Sequence, residues 1–305
     1  MIETRMDHAH YAYSALPLRP PGPLPGGLHL FVVLYLEHWD FEPPQGSLRD
    51  PRFVGEFGSF SPDYRSWTQR EMGLRIGVFR LIEALRERAI VPAVAANSLV
   101  LPRVPQVIES LQQMRAQWLG HGLAATRLMH ADQSVDEQRV HIAQSLEALA
   151  QHTGAQARGW LSQDWGTSAH TYGLLADAGI DYTLDWGNDD QPYWLEPAGT
   201  SARRLLAVPM SSEWDDVQAQ WFRPLEPAQH ARLMQQAATR LAGECQTNGR
   251  SAVMGLGLHP WLWGMPSRIR YLRELLDALV QIPGLHISTL DTIWQRCAEG
   301  QAASG

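Results

Sequence analysis

Glu37 and His38 follow directly on the apolar run Leu30-Phe31-Val32-Val33-Leu34-Tyr35-Leu36. An unbroken run of this length reads as a strand buried on both faces, as in parallel sheets. A carboxylate and an imidazole at its end are costly unless they are paired or put to use. The alternative is that both are exposed as the loop begins. Similar polar clusters close the other apolar runs, and they supply Asp40, His121, Asp164, Asp185, Asp189, Asp190, Asp215, Asp216 and His259. Carboxylates facing imidazoles serve two chemistries. One is general acid/base hydrolysis, in which a carboxylate takes a proton from water and a histidine protonates a leaving nitrogen. The other is a divalent, zinc-like metal held by His and carboxylate, which activates water and polarises a carbonyl.

Elements that could gather these clusters alternate along the chain. Residues 1–28 are rich in Pro and Gly and read as an arm laid over the body, which occupies residues 29–305, or over a neighbouring subunit. A long Pro-containing loop spans 41–69, and a helix over 70–89 follows, with Ile76, Phe79, Leu81, Ile82 and Leu85 on its apolar face. Strands are expected at 90–96, 117–120, 180–184, 205–210, 251–258 and 285–288. Helices are expected at 105–116, 134–153, 170–178, 227–242 and 267–281, with a closing helix from Thr289. Ser134 and Glu137 form a capping box, and Val140, Leu146 and Leu149 mark that helix's apolar face. Roughly seven strands separated by helices imply a parallel sheet with right-handed crossovers. Closed into a barrel, such a sheet brings the polar clusters to one rim, where sites of α/β folds are built.

Composition excludes several classes. A net charge of −7 without a Lys/Arg cluster argues against nucleic-acid binding. No apolar run is long enough to span a bilayer, and the first residues lack a signal-peptide pattern, so the expectation is a cytoplasmic protein. Cys245 and Cys297 are too far apart for a metal knuckle and suggest no disulfide framework. No phosphate loop, GxSxG elbow or HExxH motif is present. Twelve tryptophans, several in loop-like sequence, suit a wall for flat or sugar-like ligands. Trp165, Trp186, Trp214, Trp261 and Trp263 are the candidates, against core packing beneath the rim.

The order of motifs resembles the polysaccharide deacetylase-like superfamily (NodB homology, carbohydrate esterase 4), nearest its branch of metal-independent allantoinases and cyclic-imide hydrolases. The resemblance rests on the strand ending in Glu37, the Arg75-Ile76-Gly77-Val78-Phe79-Arg80 helix, Gly120-His121-Gly122 and Gly159-Trp160. It extends through the segment from Asn188 to Trp194 and Gly255-Leu256-Gly257-Leu258-His259-Pro260, and so spans about residues 30–295. It implies a distorted (β/α)7 barrel in one domain, hydrolysis of non-peptide C–N bonds, and a homo-oligomer. Metal-dependent deacetylases end the first strand in two aspartates, where this chain has Glu37 and His38. They also place a second histidine four residues after the first, where this chain has Ala125.

On that resemblance Glu37 takes the base position, His259 the general acid and Asp164 a catalytic partner. His121 becomes a substrate-orienting donor or, with His38, a metal ligand. His130 lies too far along to replace a ligand. The bland alternatives are a loop histidine before Pro260 for His259 and a helix cap near Ser168 for Asp164. Asp189, Asp190, Asp215 and Asp216 read as ordinary loop and cap residues. The leading expectation is a hydrolase of a small cyclic amide, ureide or imide that needs no cofactor. A metal-dependent deacetylase of an N-acetylated sugar, and a catalytically silent ligand-binding barrel, stand as alternatives.

Overall fold

The computed structural model describes residues 6–19, 22–45, 47, 62–196, 200 and 203–304. Residues 46 and 48–61, most of the long loop expected after the first strand, lie outside the described residues. In chain order the elements are β1 (Gly27–Leu36), α1 (Tyr64–Met72), a π-helical segment (Gly73–Gly77), α2 (Val78–Arg86), β2 (Ala93–Ala96) and α3 (Pro105–Gln113). Next come β3 (Gln117–Gly120), α4 (Val135–Thr153), β4 (Gly159–Trp160), α5 (Thr171–Asp177), β5 (Tyr182–Thr183), β6 (Tyr193–Leu195) and β7 (Leu205–Ala207). The chain closes with α6 (Pro227–Asn248), β8 (Ser251–Leu258), α7 (Ile269–Leu279), β9 (Leu285–Ile287) and α8 (Leu290–Ser304).

The strands form one sheet in the order β6-β7-β5-β4-β3-β2-β1-β8. Every pairing is parallel except β6 with β7, an antiparallel appendage not expected from the sequence. β1 is the axis of the sheet. One edge pairs along its length with β8, and the other is divided between β9 at Leu28–Leu30 and β2 at Val33–Leu36. The sheet curls, and the gap between β8 and the β6–β7 end is crossed by the Val253 N–H, which donates to the Asp190 carbonyl.

Side chains alternate across the sheet, as a pleat requires. Leu28, Leu30, Val32, Leu34 and Leu36 of β1 join Val94, Trp118, Met254, Leu256 and Leu258 in the outer core beneath the helices. Phe31, Val33 and Tyr35 join Ala93, Ala95, Leu119, Leu161, Leu206, Met210 and Val253 in the inner core. Leu290, Ile293 and Cys297 of α8 pack into that inner core and stopper it near the start of β1. Each fully buried Leu contributes about 2 kcal/mol relative to exposure, so the alternation strongly fixes the register.

Local expectations fare unevenly. The capping box at Ser134 and Glu137 is formed, and Gly154 closes α4 in the left-handed conformation (φ +68°). Val140, however, is exposed, and the buried face of α4 runs through Gln138, His141, Ile142, Ser145 and Leu149. Ile76 and Phe79 also face solvent: Ile76 lies in the π-helical segment, and Phe79 sits to one side of the α2 face formed by Val78, Leu81, Ile82 and Leu85. Residues 6–19 and 22–26 run against the body. Arg19 pairs with Asp189, and the Tyr11 ring packs on Trp186 and Tyr193.

Candidate active site

The inward alternation continues past the strand ends. Two residues beyond Tyr35, Ala95, Leu119, Leu161 and Gly257 come Glu37, Asn97, His121, Gln163 and His259. All five are buried. The inner face of the sheet therefore ends in a layer of two histidines, a carboxylate and two amides.

That layer is wired together. Gln163 Nε2 donates to Glu37 Oε1 at 2.7 Å, and Trp39 Nε1 donates to Glu37 Oε2 at 3.2 Å. Asn97 Nδ2 donates to the His121 carbonyl at 2.6 Å and to Gln163 Oε1 at 3.1 Å, which fixes the amide that holds Glu37. His259 stands between two carboxylates. Its Nδ1 lies 2.5 Å from Asp216 Oδ1, its backbone N–H donates to Asp216 Oδ2 at 2.7 Å, and its Nε2 is 3.7 Å from Glu37 Oε1. The Tyr35 ring stacks on the imidazole at 3.9 Å between centroids, with an interplanar angle of 11°.

Burial and charge compete at each group. Burial works to raise the Glu37 pKa, but the His259 charge, His121 and the Gln163 amide take it down to about 2. For His259 burial favours the neutral ring, and the negative charges of Asp216 and Glu37 overcome this, raising its pKa well above the ordinary histidine value. The resting arrangement at neutral pH is thus carboxylate, imidazolium, carboxylate. Asp215 is pushed up to about 6 by burial against the His259 charge. Its carboxylate caps the Val217 and Gln218 N–H groups and accepts from the Tyr35 hydroxyl.

His121 is the opposite case. Its Nδ1 donates to the Leu161 carbonyl at 2.5 Å, which leaves Nε2 as a lone pair. Burial lowers its pKa to about 4, against the pull of Glu37, so the ring is neutral. Nε2 is buried and has no hydrogen-bond partner among the described residues. His121 is therefore an acceptor, not the donor expected from the sequence.

Arg70, on α1, places its guanidinium 3.9 Å from the Trp39 ring and 4.9 Å from the Trp261 ring. Burial lowers its pKa to about 10, opposed by Glu37 and Asp63, and it stays cationic at neutral pH. The helix carrying it docks without side chains in between. A Cβ at Gly73 would lie 2.6 Å from the Trp261 nitrogen, and one at Gly77 would lie 2.3 Å from the Pro260 oxygen. Arg80 Nη1 donates to the Gly264 carbonyl at 2.7 Å. These contacts clamp the turn that follows His259. Gly77 and Arg80 are thus what the Arg75–Arg80 stretch contributes to the site, while Arg75 and Ile76 point to solvent.

The other expected residues are distributed as follows. The His38 side chain turns away from the layer, with Nδ1 3.0 Å from Arg103 and Nε2 3.4 Å from Asp40. Asp40 is held bidentately by Arg127. Asp185 binds the Ser162 N–H and hydroxyl, and burial pushes its pKa up to about 6. Asp189 pairs with Arg19, whereas Asp190 is exposed. Asp164 is half-buried, and it and Trp165 both adopt left-handed backbone (φ 46° and 54°), a costly conformation for non-glycine residues. The bond to Glu37 comes from Gln163, not from Asp164, and the residue preceding α5 is His170 rather than an Asp164 cap. Asp216, read from the sequence as a loop or cap residue, is instead the partner of His259. Among the five tryptophans Trp261 reaches the layer, at 6.1 Å from the His259 ring and beside Arg70. Trp186 lies under His10 and Tyr11 of the arm. Trp214 lines a separate cleft of about 630 Å³ with Arg19, Asp189 and Arg240. Trp263 is core, stacked on His230.

The residues do not fit the metal set that the resemblance implies. His38 faces Arg103 rather than His121. Asp215, Asp216 and His259 do bring ligand-type atoms within 4.8 Å of one another, the only such group among the described residues. Their atoms are already engaged with one another through His259 Nδ1, and by backbone N–H groups and the Tyr35 hydroxyl.

No family model matches the chain. A Schizosaccharomyces pombe protein provisionally described as a polysaccharide deacetylase is 22% identical over 237 residues, covering 74% of this chain and 73% of that one. A probable polysaccharide deacetylase from Pseudomonas aeruginosa superposes with a TM-score of 0.78 at 22% identity, over 92% of this chain and 95% of that one. This chain has the polysaccharide deacetylase-type fold. Puue allantoinase shares that fold, with a TM-score of 0.77 at 20% identity over 92% and 94% of the two chains. So does a Mycobacterium smegmatis protein, with a TM-score of 0.74 at 21% identity over 93% and 96%. The expected α/β fold class and deacetylase-type barrel are therefore borne out, with the strands forming a curled and incompletely closed barrel. Among the described residues no helix is long and apolar enough to cross a membrane.

Proposed function

We propose that this deacetylase-type barrel hydrolyses the C–N bond of a small cyclic amide, ureide or imide by acid/base catalysis on water. The observation that carries the reading is the buried line Glu37–His259–Asp216, with the 3.7 Å separation between Glu37 Oε1 and His259 Nε2. That separation is too long for a strong hydrogen bond and leaves the carboxylate and the imidazolium free to engage two different atoms of a reacting complex.

Glu37 accepts a proton from water as the oxygen attacks the carbonyl carbon. The tetrahedral intermediate collapses by breaking the C–N bond, and the His259 Nε2 proton passes to the leaving nitrogen. Glu37 then holds one proton more and His259 one fewer than at rest, and proton transfer from Glu37 to His259 restores both. Asp216 keeps the imidazolium oriented through Nδ1. Water adds across the C–N bond, the ring opens to a single product bearing a carboxylic acid and an amine or amide, that acid loses its proton to solvent, and the site's charge is unchanged. A base whose resting pKa is about 2 is weak. Its strength rises as substrate separates it from His259, the charge that contributes most to holding its proton affinity down. Placing His121 and Trp261 beside these groups supports a small, flat substrate.

A panel of five- and six-membered imides, hydantoins, allantoin and N-acetylglucosamine oligomers, assayed by release of carboxylate or acetate with and without chelator, tests the proposal. Chelator-insensitive opening of a ring substrate is expected. Chelator-sensitive acetate release alone would instead establish the deacetylase alternative.

A further inference from the structure

His121 Nε2 is a buried acceptor of the layer that no described residue engages, although the residue is only 1% exposed. Its tautomer is fixed. Nδ1 donates to the Leu161 carbonyl, so Nε2 can only accept. The ring shares its layer with the catalytic pair: its centroid is 5.5 Å from the Tyr35 ring, whose other neighbour is the stacked His259. Its own carbonyl is tied through Asn97 to Gln163 and hence to Glu37, so the ring cannot turn away without breaking that chain of bonds.

A buried acceptor without a donor is expensive, and whatever fills the site must supply one. A carbonyl or an N-alkyl group cannot. We propose that His121 Nε2 accepts the N–H adjoining the scissile carbonyl, making His121 a specificity-determining residue that selects imides and ureides unsubstituted at that nitrogen. This rests on the hydrolase reading above. The geometry disfavours a cation as the donor's replacement, because the same layer already holds the His259 imidazolium and the Arg70 guanidinium.

The test compares kcat/KM for succinimide and hydantoin with their N-methyl analogues, in the native protein and in His121→Asn and His121→Gln. An Asn amide can still donate to the Leu161 carbonyl but offers no acceptor where Nε2 stands, whereas a Gln carbonyl can reach that point. In the native protein the N–H substrate is expected to be favoured by about 100-fold or more, since a site built to bond a polar group rejects the analogue lacking it. His121→Asn should cut that ratio to within about tenfold, mainly through KM, and His121→Gln should restore part of it. Equal kcat/KM for N–H and N-methyl substrates in the native protein overturns the inference alone, and needs no variant to fold. Loss of kcat for both substrates alike in His121→Asn would place the attacking water on Nε2 and also overturn it. So would turnover abolished by chelator, which would give the lone pair to a metal. Absence of both turnover and calorimetric binding across the panel overturns the hydrolase reading, and this one with it.

Discussion

Replacing Asp216 with Asn removes a charge while nearly conserving shape, and its consequence follows from the geometry. The imidazolium and the carboxylate touch at 2.5 Å, which puts their charge centres about 4 Å apart. At an effective dielectric of about 20 such a pair interacts by about 4 kcal/mol, equivalent to about 3 pKa units. Removing a neighbouring anion destabilises the protonated ring, so the His259 pKa must fall. Asn can still accept one of the two hydrogen bonds that Asp216 receives from His259, so the expected drop is about 2–3 units. The reaction requires His259 protonated, and its deprotonation sets the alkaline limb of the kcat/KM profile. In Asp216→Asn that limb should move to lower pH by about 2–3 units, so that the loss grows about tenfold per pH unit between the new and old values, reaches about 100- to 1000-fold above the old one and is small below both. Profiles on one ring substrate, with the His259 titration followed by nitrogen NMR, measure both quantities. A variant that loses activity equally at every pH, with its alkaline limb unmoved, would refute the reasoning and leave Asp216 a purely structural partner.

Two further outcomes concern the frame around the site. Gly77→Ala drives a Cβ onto the Pro260 carbonyl, backbone against backbone, and should cost about 1–3 kcal/mol in chemical denaturation together with lowered kcat, because the turn bearing His259 must shift. Wild-type stability and nearly unchanged kinetics would show that the turn is not clamped there. His230 is buried, and burial, only partly offset by Asp216, lowers its pKa to about 4. A histidine with a depressed folded pKa contributes its full stability above the unfolded value of about 6.5 and loses it as pH falls toward 4, by up to about 3 kcal/mol. His230→Phe, which keeps the stack on Trp263, should therefore flatten the stability profile between those pH values, read by urea unfolding at several pH values. An equally steep acid limb in the variant would show that His230 does not titrate there.

The sequence exposes the site where local pattern and chemistry coincide. Glu37 and His259 end long apolar runs, and the pleat that buries Tyr35 and Gly257 also turns Glu37 and His259 inward. His121 follows the same rule from a shorter strand. Other members carry no local signal. Asp216 is one of several acidic loop residues until the fold brings it against His259, 43 positions along the chain. Asn97 and Gln163 are neutral amides whose importance lies only in whom they hold. Arg70 belongs to a helical stretch whose 3.6-residue period is broken by a π-helical segment, and Ile76, inside that segment, lies in solvent. The tryptophan wall fails for a general reason: a Trp near polar sequence is as readily a cover for the core, as Trp263 and Trp186 show.

The central claim is that Glu37 takes the proton from water while His259 donates one to nitrogen. Glu37→Gln keeps the side chain's size and its bond from Trp39 but cannot accept a proton. Turnover and binding of the same ring substrate, measured side by side in this variant and the native protein, test the claim most directly. In Glu37→Gln kcat should fall by about 100- to 10,000-fold with binding retained within about tenfold. Undiminished kcat in Glu37→Gln would contradict it.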